Sequence, residues 1–277
     1  MQGRDAGRGE GVTALAAPLA LVTGGHRRLG ARIAMALGRA GYRLALHGSH
    51  DVALEPDLER ALQEMGTEWH PFVADFEQPE AAAALMDAVA AHFGAGPDLL
   101  VNSAAAFGQD RLETVSGTDL MRHHAINCAA PVLLTRAMAA LAEREDGSGS
   151  QSLGQSRDRA IINMLDQRLA HPHGDQLAYT LSKQALAGFT QIAARELAGR
   201  GIRVNAVAPG LTIATGHYDD AQMARLADMM PLGRLPEPAQ IAEAVLYLAG
   251  ARAVTGQVIA VDGGAHLESY ARDFMHL

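Results

Sequence analysis

The 277-residue chain is 48% hydrophobic and 19% charged and carries a net charge of −8. This is the balance of a water-soluble globule long enough to bury a full core, and the acidic charge, with no basic patch, excludes a nucleic-acid partner. The single cysteine, Cys128, excludes an internal disulfide and suits a reducing compartment; set in an apolar helical stretch, it reads as a buried structural thiol.

Residues 1–17 are expected to form a mobile tail. The run "VTALAAPLALVTGG" looks like a signal-peptide core, but the residues before it carry both signs and it leads straight into a glycine turn. No segment is expected to span a membrane, which places the protein in the cytoplasm. From Pro18 onward short apolar runs alternate with helical periodicity. Expected strands are "LALVT" (19–23), "RLALH" (43–47), "HPFVA" (70–74), "DLLVN" (98–102), "AIINML" (160–165), "IRVNAV" (202–207) and "QVIAV" (257–261). Between them, Leu29, Ile33, Leu37 and Ala40 make one helical stripe, and Ile241, Val245 and Leu248 another. That alternation predicts an α/β fold with a parallel sheet covered on both faces, in one domain over 18–277. The Gly/Ser/Gln-rich segment 144–159 reads as a flexible surface loop within it.

The first strand ends in "TGGHRRLG", Thr23 to Gly30, and a helix follows. Glycines at 24, 25 and 30 permit a tight turn, and the helix start offers unpaired N–H groups and a positive dipole end to a phosphate. The second strand ends at His47, Gly48, Ser49 and His50, with no carboxylate before Asp51. A ribose-binding acid is therefore missing from its usual place. Ser49, His50, Arg27 and Arg28 supply donors for a 2′-phosphate, which favours NADP(H) over NAD(H). Asp51 is the sign against it, and a polar turn without a ligand is the plainer reading.

Tyr179 and Lys183 stand four apart on an expected helix, hence on one face, where an ammonium would favour the phenolate. Thirteen residues before the tyrosine stands Asp166. An ionised carboxylate only accepts hydrogen bonds, so it suits a substrate that offers N–H groups better than a developing alkoxide.

With these landmarks, "TGGHRRLG", Asp75, "NSAA" (102–105), Asn127, "YTLSK" (179–183), "PG" (209–210) and "VDGG" (261–264), the chain resembles the short-chain dehydrogenase/reductase family from Pro18 to Gly264. The resemblance implies a doubly wound Rossmann-type sheet of seven parallel strands and a homotetramer built partly through the helix bearing Tyr179 and Lys183. It implies Lys183 on the nicotinamide ribose, Tyr179 as proton donor and Asn127 supporting a relay water. Asp75 would contact adenine, Asn102 would lie beside the cofactor, and Thr212 would hold its carboxamide or diphosphate. Thr23, Gly24, Leu29, Gly30, His47, Phe76, Ser103, Ala104, Pro209 and Gly210 would complete the NADP(H) site.

Three departures, Arg28 in place of the usual glycine, Asp166 in place of the usual serine, and "NSAAAF" with Phe107 at the mouth of the site, resemble the pteridine reductases. In that subgroup the arginine touches phosphate and pterin, the aromatic ring stacks on the pterin, and the aspartate joins the catalytic group. The expected activity is NADPH-dependent reduction of a dihydropterin, a small heterocycle. A carbonyl reductase acting on a ketone or 3-oxoacyl thioester is the nearest alternative, and a non-catalytic NADP-binding regulator the next. Twelve histidines, including His123–His124 and His171–Pro172–His173, complete no metal-ligand spacing, so no metal is expected; His171 and His173 are placed at the pocket rim. Residues 212–231 occupy the family's substrate-lid region, where Met223, Met229 and Met230 face either substrate or core. The tail 266–277 ends in Phe274, Met275 and Leu277 and is expected at a subunit interface.

Overall fold

The structure, a computed structural model, describes residues 17–78, 80–147, 157–213 and 218–277. Seven parallel strands form one sheet in the order β3-β2-β1-β4-β5-β6-β7. They are β1 (Leu19–Thr23), β2 (Arg43–Gly48), β3 (Trp69–Val73), β4 (Leu99–Asn102), β5 (Arg159–Met164), β6 (Ile202–Pro209) and β7 (Val258–Val261). The helices are α1 (Arg28–Arg39), α2 (Pro56–Glu64), α3 (Ala81–Phe93), α4 (Gly117–His124), α5 (Ala130–Asp146), α6 (Leu177–Leu197), α7 (Asp220–Met229) and α8 (Pro238–Gly250). This is the doubly wound arrangement that the alternation predicts.

Strand geometry divides the core into two. Successive side chains of β1 point to opposite faces, so Leu19 and Leu21 pack with α3, α5 and α6, while Ala20 and Val22 pack with α1, α2 and α8. Each fully buried leucine or valine contributes roughly 1.5–3 kcal/mol relative to exposure. The α1 stripe is real at Ile33 and Leu37, both fully buried. It stops there, because Ala40 is the exposed C-cap and Gly41, at φ 85°, turns the chain away. Since β1 runs between β2 and β4, consecutive connections leave in opposite directions at its carboxyl end. A crevice opens at that switch point.

Two expectations need correction. Segment 144–159 is helical to Asp146 and becomes strand at Arg159; residues 148–156 lie outside the described residues, as do 1–16 of the expected tail. Its flanks are tied down, Arg157 to Asp98 at 2.7 Å and Arg159 to Glu145 at 2.8 Å. Second, α4, a π-helical turn at Ala125–Ala129 and α5 form one continuous helix, long and apolar enough by length and composition to cross a membrane. Half of its most apolar stretch is buried, with Leu134 and Met138 in the core, which is the position of a core helix.

Candidate active site

The crevice is assembled from turns at the carboxyl ends of β1, β4, β5 and β6. Thr23 closes β1, and its Oγ1 accepts the N–H groups of Ser103 and Ala104, each at 3.0 Å. The two strand ends are thereby clamped together. Gly24 sits at φ 64°, and a Cβ on Gly30 would lie 2.1 Å from the Gly24 carbonyl, so turn and helix touch through glycine alone. Arg28, expected to stand in place of a glycine, sits at φ 55°, the left-handed conformation that favours glycine. A left-handed non-glycine residue costs roughly 1–2 kcal/mol, and such strain persists where the surroundings impose it. Its N–H donates to Glu55 Oε1 at 2.6 Å, so an anion already occupies the amino end of α1.

Among the expected phosphate contacts, Arg27, Arg28 and His50 are exposed and Ser49 is half-buried, all beside the turn. His47 is not with them. Its ring is buried, Nε2 lies 2.9 Å from the Ala74 carbonyl, Nδ1 accepts from Gly24 N–H at 3.2 Å, and Phe76 stacks on it at 4.3 Å. Burial lowers its pKa to about 4, so it is a neutral brace for the glycine turn. Phe76 is buried with it. The missing side chain at Gly48 has a reason, since a Cβ there would stand 2.3 Å from His26 Nδ1. Asp51 is occupied in its own turn, accepting from Ala53 N–H at 3.0 Å, and Asp75 likewise from Glu77 N–H.

Asn102 ends β4 and is buried. Its amide donates to Asn163 at 2.8 Å, and its Oδ1 has no hydrogen-bond partner among the described residues. Asn127, fully buried in the π-helical turn, exchanges two hydrogen bonds with the Ala106 backbone and donates to Ser182 Oγ at 2.9 Å. Its side chain therefore fixes the loop carrying Phe107. Pro131 has no N–H to give to the Asn127 carbonyl four residues before it. At the end of β6, Gly210 donates to Val261 at 3.0 Å, and a Cβ on it would meet Asp262 Cα at 2.8 Å. Pro209 precedes it, and the Thr212 hydroxyl turns back to the Gly210 carbonyl.

At the centre, helix α6 brings Tyr179 and Lys183 under the end of β5. Lys183 is buried and Nζ makes one hydrogen bond, to the Met164 carbonyl at 2.6 Å. Asp166 follows β5. Its Oδ1 caps a short 3-10 turn by accepting from Arg168 N–H at 2.9 Å, and its Oδ2 accepts the Tyr179 hydroxyl at 2.9 Å. The aspartate is thus both a turn cap and the tyrosine's partner. Phe107, 53% exposed, stands edge-on to the Tyr179 ring at 4.9 Å and forms the mouth.

The electrostatics differ from the expectation of a lysine-stabilised phenolate. Burial, then the Asp166 charge, raises the Tyr179 pKa well above 10.0, so the phenol holds its proton. The cation that opposes this is Arg168, whose guanidinium lies 5.3 Å from the ring centroid. Burial lowers the Lys183 pKa to about 8, against the pull of Asp166. Sequence reasoning missed Arg168, Glu55, Gln176 and Asp273. The one available signal was a basic residue two positions after Asp166.

The rim carries the remaining candidates. His171 and His173 line a small cleft with Arg168, Arg272, Asp273 and Phe274, and among the described residues no group of histidines, cysteines and acids is arranged to hold a metal. Met230 is 3% exposed and packs with Leu226, Ala265 and Phe274, so it is core; Met229 is 41% exposed and Met223 half-buried. Residues 214–217 of the lid lie outside the described residues. Within the C-terminal tail, α7 and the turn after it cover Phe274 (6% exposed), while Leu277 stays 40% exposed.

These residues fit a dinucleotide. Glycines leave a cradle that a Cβ at 24 or 30 would fill, the α1 amino end already holds a carboxylate, and the Lys183 ammonium has one hydrogen bond among the described residues.

Comparison with known proteins agrees with this geometry. Residues 25–266 match the family described as enoyl-(acyl carrier protein) reductase. Pteridine reductase 1 of Leishmania tarentolae is 30% identical, covering 92% of this chain and 98% of that protein. The 3-oxoacyl-[acyl-carrier-protein] reductase FabG of Pseudomonas aeruginosa is 31% identical, covering 90% and 97%. Among solved structures, FolM alternative dihydrofolate reductase 1 from Brucella suis in complex with NADP superposes with a TM-score of 0.76 at 31% identity, covering 91% of this chain and 96% of that one. A glycine cradle, a tyrosine–lysine pair on one helix and these matches along nine-tenths of the chain have one source: the protein belongs to the short-chain dehydrogenase/reductase family.

Proposed function

We propose that the protein is an NADPH-dependent reductase of a dihydropterin-type heterocycle. The observation that carries this reading is the Asp166–Tyr179 hydrogen bond of 2.9 Å beneath the exposed ring of Phe107. A flat ring fits against Phe107, and the two Asp166 oxygens accept N–H donors of the kind a pterin presents; ring stacking adds roughly 0.5–1.5 kcal/mol beyond burial. The Leishmania and Brucella proteins, by their names, support the substrate class, and the Brucella complex supports NADP.

NADPH, when bound, supplies hydride to a C=N carbon. Tyr179 keeps its proton until the substrate nitrogen takes it, Lys183 holds ribose hydroxyls, and Arg27, Arg28, Ser49 and His50 surround the 2′-phosphate. Arg28 also reaches substrate. In this reading Asn127 supports a relay water, and Asp75, Asn102 and Thr212 line the cofactor. A homotetramer packed through α6 follows from the same reading, and Leu181 and Ile192, 46% and 63% exposed there, are the side chains it would cover. Light scattering at micromolar concentration tests it.

One observation favours a second reading, ketone or 3-oxoacyl thioester reduction: the matching family description and the Pseudomonas relative both concern acyl-carrier substrates. NADPH oxidation measured with dihydropterins, dihydrofolate, a 3-oxoacyl thioester and simple ketones separates the two. The proposed activity requires dihydropterin turnover that Asp166→Ser reduces about 10²–10⁴-fold, the range of positioned proton transfer. It also requires higher kcat/KM with NADPH than with NADH. Turnover of ketones alone, improved by Asp166→Ser, would establish the second reading.

A further inference from the structure

The proton donor is backed by a chain of side chains that ends at the carboxyl terminus. Tyr179 bonds to Asp166 Oδ2. The other oxygen of Asp166 accepts both the N–H and the Nε of Arg168, at 2.9 and 3.3 Å. Arg168 is 7% exposed, and its remaining nitrogens are taken by Gln176 Oε1 and, at 2.7 Å, by Asp273 Oδ2. Asp273 lies 105 residues further along the chain and is 6% exposed. It is held in turn: its N–H donates to Asp175 Oδ2 at 3.0 Å, its Oδ1 caps the final turn at Met275, and Arg272 grips Asp175 at 3.2 Å. Phe274 anchors the tail in an apolar pocket, and Gln222 of α7 bonds to the Phe274 carbonyl at 3.3 Å.

We propose that Arg168, locked between Asp166 and Asp273, is a positioning residue for proton transfer, so that turnover depends on the last residues of the chain being docked. Two physical arguments carry this. A carboxylate next to a tyrosine opposes loss of the tyrosine's proton, since donation creates a phenolate beside an existing negative charge. The guanidinium 5.3 Å from the Tyr179 ring offsets that second charge in a water-poor site, where charges interact strongly. Geometry is the other argument. With Oδ1 occupied twice by Arg168, the carboxyl plane is fixed and Oδ2 alone faces the tyrosine. Without Asp273 the fork of Arg168 loses one of its two carboxylates, and the guanidinium is no longer held in one place between Asp166 and the tail.

This rests on Tyr179 being the proton donor for the reductase reading above, but not on which heterocycle or ketone is reduced. The test therefore uses whichever substrate of the panel the wild-type protein turns over. Asp273→Asn preserves shape and is expected to lower kcat about tenfold, and Arg168→Met about 100-fold, the range typical of groups that orient first-contact residues. NADPH affinity, by fluorescence titration, should stay within about twofold of wild type, and Arg168→Lys should recover part of the Arg168→Met loss. Coupling is read from Asp166→Ser combined with Arg168→Met. If Arg168 acts through Asp166, the second substitution costs less than about threefold on top of the first. Full additivity of the two losses overturns the proposal. So does an Asp273→Asn protein with wild-type kcat, or one whose loss of kcat is matched by loss of NADPH binding, since that is a merely structural effect. A wild-type protein that reduces only ketones would sink the pterin reading while leaving this test intact.

Discussion

Glu55 caps the amino end of α1, where a helix start would offer its N–H groups to a cofactor's diphosphate. Its Oε1 is 2.6 Å from the Arg28 N–H at the amino end of α1, and its own N–H donates to the His26 carbonyl at 2.9 Å, which holds the residue over the turn. A diphosphate binding at that helix end would have to displace this carboxylate. An anion at an exposed helix amino terminus is stabilised by about 0.3–1 kcal/mol. Glu55→Gln keeps the size and an acceptor oxygen but removes the charge, so the cofactor-free protein should lose about that much stability, a fall in Tm of at most about 4 °C. NADPH should bind about two- to fivefold more tightly, the same free energy read from the other side. Fluorescence titration of NADPH, with a thermal melt of the free protein, measures both. In about 0.5 M salt the gain in affinity should shrink, because the pair is exposed and screened. Unchanged or weaker NADPH binding at low salt, alongside a lowered Tm, would refute the reasoning, since the carboxylate would then cap the helix without occupying the cofactor's place.

Gly48→Ala should lower stability by about 1–3 kcal/mol, the usual cost of overpacking, because its Cβ would stand 2.3 Å from His26 Nδ1 and drive that ring off the Leu46 carbonyl; a Tm equal to wild type would contradict the packing. Lys183 has its pKa lowered from 10.5 to about 8, so the ammonium is present below that value and lost above it. The kcat/KM for NADPH, which reports the free protein, should therefore fall as pH rises through about 8, and stability should gain from this group between 8 and 10.5; a flat profile across that range counts against Lys183 as the cofactor's cation. For Asp175, burial pushes the carboxyl up, but the hydrogen bonds from Arg272 and the Asp273 N–H and the charges of Arg272 and Arg111 win and hold it at about 2, below the ordinary 3.8. Its contribution to tail docking is whole above 3.8 and lost as pH falls through about 2, so limited proteolysis should find the tail as protected at about pH 4 as at neutrality.

Strands buried on both faces are short unbroken apolar runs, and this is why the sheet could be read from the residues. β1 coincides with "LALVT", and all six residues of β5 are buried. β3, an edge strand, is only half-buried, and its apolar pattern is more diluted. Tyr179, Lys183 and Asp166 were legible for the same kind of reason: four residues on a helix and thirteen across a strand–helix junction are local distances. The ring of His47 as a brace for the glycine turn was not legible, because sequence shows a residue at a strand end but not which way its ring turns. That was decided by Phe76 and the Ala74 carbonyl, both supplied by the turn after the neighbouring strand.

The tail shows the limit most clearly. Phe274 demanded cover, and composition alone could not say whether a neighbour or the same chain provides it; α7 and its following turn do. Residue types and spacing determined the parallel sheet, the glycine cradle and the tyrosine–lysine face, because each depends on neighbours within a few residues. The Arg168–Asp273 lock and the Glu55–Arg28 contact, across 105 and 27 residues, were decided only by the tertiary structure. A buried guanidinium takes whichever carboxylate the folded chain returns to it, and no local pattern records where that return occurs.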